Sequence, residues 1–138
     1  MTRQTLLPML LATATIIGCA PTGPSTPVPH GAVPLPAPSI YREWFERTAE
    51  CAGRTGRFER IEWYVVPGVE TFETDEGAKV GMWIRRGESD RIVIAGNYQD
   101  HEMVVRHEIL HSLLGKHGHP ADYFTDRCQL TWETWATD

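Results

Sequence analysis

The segment Val104–Pro120 constrains the fold more than any other part of this chain, because its apolar pattern fits a buried helix. Apolar side chains repeat at helical spacing and cover about half of the helical wheel: Met103, Val105, Ile109, Leu110, Leu113 and Leu114. The other half carries two histidines, one glutamate and small or apolar residues, where a surface helix would carry solvated charges. We therefore predict a central helix whose polar side faces a cleft, with Asp100 as N-cap and Gly115 as its left-handed end.

The polar side of this helix carries residues that can bind and use a metal ion. His107 and His111 are one turn apart, so both rings can reach a single Zn²⁺ at about 2.0–2.1 Å. Glu108 points about 100° away from His107, which places it beside a water held by the metal rather than on the metal. Zinc lowers the pKa of such a water towards about 7, and the carboxylate can accept its proton. The spacing His-Glu-x-x-His therefore predicts two ligands and a general base.

On these residues the chain resembles the zincin metalloproteases, whose active-site helix carries His-Glu-x-x-His beneath a mixed sheet. The resemblance is strong in the motif itself and loose in the order of helices and strands over residues 39–120. It implies a peptide substrate, zinc bound by His107 and His111, and Glu108 as the base. It also implies an edge strand that pairs with an extended substrate, for which Arg91–Ala95 is the candidate.

The motif leaves the third zinc ligand open between two histidines. The metzincin pattern points to His117, although Leu114 stands where that pattern has its glycine. The chain reversal at Gly115 also allows His119 to return to the metal, with Pro120 stiffening the backbone beside it. We favour His119 and keep His117 as the competing ligand.

Carboxylates further along the chain are weaker candidates for the third ligand. A gluzincin-like arrangement would use Glu133, and an aspzincin-like arrangement would use Asp122 or Asp126. The histidine that does not bind zinc, or Tyr123, is a candidate to polarise the substrate carbonyl.

The remaining pattern of residues 39–138 predicts one α+β domain. Residues 39–53 predict a helix that ends at Gly53. Ile61–Val65 alternates like a strand, and residues 78–96 predict two strands joined around Gly87–Asp90. Helix, strands and histidine helix in this order predict helices on one face of a sheet of at least three strands. The resemblance implies that this is a minimal zincin-like domain.

The first 38 residues predict export and attachment rather than folding. Residues 1–18 have a charged start and an apolar run too short for a permanent membrane span. Cys19 closes this run as in a bacterial lipobox, which implies lipidation at Cys19. Residues 19–38 are rich in proline and predict an extended tether. The expected location is the bacterial cell envelope, on the periplasmic side of the outer membrane in a Gram-negative cell.

Cysteine and charge usage narrow the class of protein further. Cys51 and Cys128 remain as a pair once Cys19 is assigned to the anchor, and we predict a disulfide between them in an exported domain. The chain has 18 acidic against 13 basic residues. This balance, without a basic cluster, excludes a nucleic-acid partner and leaves the lipid anchor as the membrane contact.

Two functions of different classes fit these features. The first is a lipid-anchored zinc metallopeptidase that keeps one zinc position open for water. The second is a lipoprotein whose zinc is structural or carried, with a closed site of four histidines: His107, His111, His117 and His119.

Overall fold

The computed structural model describes residues 27–135. The predicted signal segment 1–18, Cys19 and the first part of the tether therefore lie outside the described residues. Within residues 27–135, no helix combines the length and the apolar character needed to cross a bilayer. The described part has an α+β fold, as predicted.

Helix α1 spans Ile40–Ala52 and ends at Gly53, whose φ of 59° is left-handed as its position predicted. Its buried face is aromatic and consists of Tyr41, Trp44, Phe45, Thr48 and Ala52. Ile40, the first residue of the helix, lies at the surface. The hydroxyl of Tyr41 donates to the carbonyl oxygen of Gln99 at 2.5 Å, which connects α1 to the chain just before the histidine helix.

Six strands form one sheet and one separate hairpin. They are, in chain order, β1 (Val33–Pro34), β2 (Ile61–Val66), β3 (Phe72–Thr74), β4 (Gly77–Lys79), β5 (Gly81–Arg86) and β6 (Ser89–Ala95). The sheet has the order β1-β2-β6-β5, and β3 pairs only with β4. Strand β6 is parallel to β2 and antiparallel to β5, so the sheet is mixed.

Side chains alternate across the sheet and bury both faces. Those packed towards the helices are Ile61, Trp63, Trp83, Ile92 and Ile94. Those on the opposite face, near Phe72 of the hairpin, are Val66, Ile84, Val93 and Ala95. The alternation predicted for Ile61–Val65 is confirmed, because Ile61, Trp63 and Val65 are buried while Glu62 is exposed.

The prediction that Arg91–Ala95 forms the edge strand is wrong. These residues lie in β6, which is bonded to β2 on one side and to β5 on the other. Among the described residues the edge strands are β1 and β5, and β5 is the edge strand that contacts α2. The N–H of Ala95 donates to the carbonyl of Val80, so these two residues form a hydrogen-bonded pair. Along antiparallel strands such pairs alternate with pairs whose backbone groups point away from the partner strand. The backbone groups of Gly81 and Trp83 therefore face the side of β5 that is away from β6. The sequence suggested a hairpin but could not reveal the parallel pairing that places β6 in the centre.

The folded part also begins earlier than residue 39. Strand β1 pairs antiparallel with β2, and the N–H of Leu35 donates to the carbonyl of Trp63 at 2.9 Å. Leu35 and Ala37 pack against the main core. Prolines are compatible with an edge strand, where a missing N–H leaves no ladder bond unmade. The last part of the predicted tether is therefore a sheet edge.

Helix α2 spans Glu102–Leu114 and ends at Gly115, whose φ is 64°. Its N-cap residue is His101 rather than the predicted Asp100. A 3-10 turn precedes the helix, and the carbonyl of His101 accepts the first helical bond, from Val105. The helix is largely buried, as predicted from its lack of solvating charge. Arg106 binds Glu102 at 2.9 Å one turn earlier.

The C-terminal segment is tied back to α1 by the predicted disulfide. The sulfur atoms of Cys51 and Cys128 lie 2.04 Å apart. A short π-helix, Asp122–Arg127, precedes Cys128. The N–H of Leu130 then donates to the carbonyl of Phe124 at 2.8 Å. This arrangement holds the C-terminal segment beside α2.

Candidate metal centre and active site

Three imidazole rings converge at one end of the cleft: those of His107, His111 and His119. The Nε2 atom of His119 lies 3.0 Å from Nε2 of His107 and 3.2 Å from Nε2 of His111. Among residues 27–135, these three form the group of His, Cys, Asp or Glu side chains able to hold a metal ion. Helix α2 supplies two of them, and the loop after Gly115 supplies the third.

The rings are oriented as metal ligands require. Nδ1 of His107 lies 2.7 Å from the carbonyl oxygen of Leu130, and Nδ1 of His111 lies 2.7 Å from that of Lys116. A carbonyl only accepts hydrogen bonds, so both neutral rings carry their proton on Nδ1 and present an unprotonated Nε2. Such carbonyl partners are the usual outer support of metal-binding histidines.

The distances between the nitrogen atoms also suit a small divalent cation. Nitrogens about 2.0–2.1 Å from a tetrahedral Zn²⁺ are roughly 3.3 Å apart. The Nε2 atom of His119 is close to this distance from both of its neighbours, and one proton on His119 could satisfy only one of the two contacts. The ligand atoms of the three residues all lie within 4.8 Å of one another, so one cation could be shared by all three, and the residues present fit a zinc ion.

All three histidines are disposed to be neutral, the form that binds metal. Burial lowers the pKa of His107, and it lowers the pKa of His111 to about 4. For His119, burial and then the positive charge of Lys79 lower the pKa. Neutral imidazoles at pH 7 can bind a cation without first releasing protons.

Phe124 forms the floor of the three-histidine cluster. Its ring centroid lies 4.8 Å from the centroids of His107, His111 and His119, and its side chain is fully buried. An apolar floor excludes water from one side of the nitrogen atoms and restricts ring rotation. Sequence reasoning missed Phe124, because only the fold of the C-terminal segment brings it beneath α2.

The other predicted candidates for the third ligand lie outside the cluster. His117 packs its ring against Trp83 at 4.6 Å between centroids. Glu133 lines the cleft, but the three-histidine group does not include it. Asp122 and Asp126 are exposed on the π-helix. The hydroxyl of Tyr123 accepts a hydrogen bond from Arg54 at 2.6 Å, and Tyr123 does not line the cleft.

Glu108 is buried beside the cluster, between α2 and the open edge of β5. Its carboxyl group lies against Gly81, and 6% of the residue is exposed. Burial raises the pKa of Glu108 to about 8, opposed by the charge of Lys79 and by the backbone amide of Trp83. A carboxylate with a raised pKa is a stronger base than one in water, and a bound cation would help keep it ionised.

Glu108 gives the metal-free protein a specific dependence of stability on pH. Its pKa in the folded protein, about 8, exceeds the ordinary value of 4.5. The stabilisation by the neutral carboxyl is therefore complete below about pH 4.5 and lost as the pH rises to about 8.

Glu108→Gln removes this dependence and isolates it, because the histidines are common to both proteins. We expect the melting temperature of the metal-free variant to rise relative to wild type as the pH increases from about 5 to about 8. Thermal melts in metal-free buffer measure this difference, and an equal difference at both ends of the range would contradict it.

The three histidines and Glu108 line a cleft of ≈ 490 Å³. Its walls are the start of β5 with the β3–β4 hairpin, helix α2, and the C-terminal segment at Thr131–Glu133. Trp132 lies at this wall with 57% of its surface exposed, supported from behind by Tyr98 and His101. The cleft is large enough for a few residues of an extended peptide.

No protein-family model, curated protein or solved structure matches this chain. Its function is therefore inferred from the arrangement of its own residues.

Proposed function

We propose that this protein is a zinc-dependent metallopeptidase that hydrolyses peptide bonds. One observation carries the proposal: three imidazole nitrogens face a common point beside a buried carboxylate, at the open edge of a strand. His107, His111 and His119 would hold the metal, and three protein ligands leave the fourth position of a tetrahedral zinc open.

Each residue of the proposed site would have a distinct role in hydrolysis. When bound by these histidines, zinc would act as a Lewis acid towards water and the scissile carbonyl. Glu108 accepts a proton from water as the water oxygen bonds to the carbonyl carbon, and it passes that proton to the amide nitrogen as the C–N bond breaks. The carbonyls of Leu130 and Lys116 keep His107 and His111 in the metal-binding tautomer throughout.

The substrate that best suits the cleft is an extended peptide. The backbone groups of Gly81 and the carbonyl of Trp83 face the open edge of β5 and can pair with another strand. Exposed Trp132 and the buried residues Met103 and Val104 provide an apolar surface along the same cleft. We propose that it accepts a peptide with an apolar side chain near the scissile bond.

The lipid anchor remains part of the proposal. Cleavage before Cys19, its lipidation and a proline-rich tether would place the enzyme in the bacterial cell envelope, facing substrates outside the cytoplasm. The disulfide between Cys51 and Cys128 agrees with an oxidising compartment.

A specific observation favours the enzyme over a protein with structural or carried zinc. A closed site would need a fourth protein ligand, and the fourth histidine, His117, is packed on Trp83 outside the cluster. The cleft beside the three histidines also leaves space for water and substrate.

The proposal is tested with residues 20–138, which include all described residues and omit Cys19. We expect one zinc per chain by elemental analysis, and hydrolysis of a mixed peptide library that a chelator abolishes and added zinc restores. A zinc-loaded protein that cleaves nothing and shows four nitrogen ligands by X-ray absorption would favour structural zinc.

A pair of neighbouring histidines tests which residue completes the metal site. His119→Ala removes a nitrogen 3.0 Å from Nε2 of His107, so zinc affinity should fall by more than the roughly 10–100-fold seen on losing a supporting group. His117→Ala is the matched control and should bind zinc as wild type does. Competition with a chromophoric chelator measures both affinities, and the reverse ranking would reassign the third ligand.

A further inference from the structure

Gly81 occupies a position where the backbone does not itself require glycine. It is the first residue of β5, it is buried, and it lies opposite Ile94 of β6. Its φ lies outside the left-handed region, so other residues could adopt the same backbone conformation. The atoms around Gly81, and not its backbone conformation, must therefore explain why this residue is glycine.

The three heavy atoms nearest to a Cβ at this position all belong to the side chain of Glu108. A Cβ atom at position 81 would lie 2.7 Å from Oε1, 2.9 Å from Cγ and 3.1 Å from Cδ of Glu108. Two of these distances are shorter than real Cβ contacts allow. The carboxyl of Glu108 thus occupies the volume that any other residue at position 81 would fill.

The backbones of β5 and α2 are both held in place by their neighbours, so neither can move to accommodate a side chain at position 81. Strand β5 is bonded along its length to β6, from Gly81↔Ile94 to Arg86↔Ser89. Helix α2 is held in the core by Val105, Ile109 and Leu110, which are fully buried. An added methyl group would therefore have to move the side chain of Glu108, which rotates about three single bonds.

We propose that Gly81 is a positioning residue for the general base. Because glycine has no side chain, it leaves the space in which the carboxyl of Glu108 is held beside the three-histidine cluster. The inference rests on the proposed role of Glu108. A base displaced by about 1 Å loses the geometry that proton transfer needs, which can lower the rate by about 100-fold. Any larger residue at position 81 would then impair hydrolysis without touching a metal ligand.

The first test is Gly81→Ala in the zinc-loaded protein of residues 20–138. We expect kcat to fall by about 100-fold with KM within about threefold of wild type, while the zinc content stays at one per chain. Gly118→Ala is the matched control, because a Cβ there would meet nothing within 4 Å and its φ is also outside the left-handed region. Full kcat in Gly81→Ala would overturn the inference.

A second test needs no catalysis. In metal-free protein, Gly81→Ala should lower the melting temperature when Glu108 is present. In a Glu108→Ala background it should not, because the three atoms nearest to the new Cβ are gone. Equal losses in both backgrounds would overturn the inference. A wild type that hydrolyses nothing would instead count against the proposed function, and this thermal cycle would still decide whether Gly81 and Glu108 are coupled.

Discussion

Glu108→Gln is expected to keep zinc and to lower hydrolysis by about 10²–10⁴-fold, the usual contribution of a general base. Glutamine has nearly the same shape as the buried glutamate, so it should fit against Gly81, but it cannot accept the proton from water. In the proposed site three histidine nitrogens would hold the metal, and they would not need the carboxylate to do so. The loss should therefore appear in kcat, with little change in KM.

The experiment compares kcat, KM and zinc content of wild type and variant prepared in parallel. Glu133→Gln is a suitable control, because Glu133 also lines the cleft but is exposed and does not lie in the metal-binding group. It should retain most of the activity. Undiminished hydrolysis by Glu108→Gln would remove Glu108 from the mechanism, and loss of zinc from this variant would make it a ligand.

Loss of the Cys51–Cys128 disulfide is expected to lower the free energy of unfolding by about 4.5 kcal/mol in the chain-entropy model, since the bond spans 77 residues. Domains of this size have a net stability of roughly 5–15 kcal/mol. The double variant Cys51→Ala/Cys128→Ala should therefore be close to unfolding at 37 °C. Urea titrations of the two metal-free proteins measure the difference.

The disulfide should also affect the metal centre. It holds the segment that carries Phe124 and Leu130, and these residues support the rings of His107 and His111. We expect weaker zinc binding in the double variant even where it is folded. Wild type treated with a reductant is the control and should show both losses, whereas an unfolding free energy within about 1 kcal/mol of wild type would contradict the prediction.

Local features of the sequence were sufficient to predict the two helices and much of the candidate metal centre. Glycine after an apolar helical pattern marked both helix ends, because only glycine adopts the left-handed conformation freely. The spacing of His107 and His111 placed both rings on one side of α2, because helical periodicity alone determines it. The disulfide was predicted from two cysteines left over in a chain expected to be exported.

Relations between distant segments required the tertiary structure. The parallel pairing of β2 with β6 moved the open edge to β5, and no local pattern encodes which strands become neighbours. His119 reaches the cluster through a loop, and the sequence could not rank it firmly above His117.

Gly81 and Phe124 show most clearly that contacts between distant segments cannot be predicted from the sequence. In the sequence they are one glycine in a strand and one phenylalanine in a short C-terminal segment. Their roles depend on contacts with Glu108 and with three histidine rings, which exist only after β5, α2 and the C-terminal segment have packed together. The period of one helix, read from the sequence alone, predicted that His107, Glu108 and His111 lie on one side of that helix. Tertiary packing decided what holds each of them in place, because shape complementarity is a property of surfaces that meet only in the folded chain.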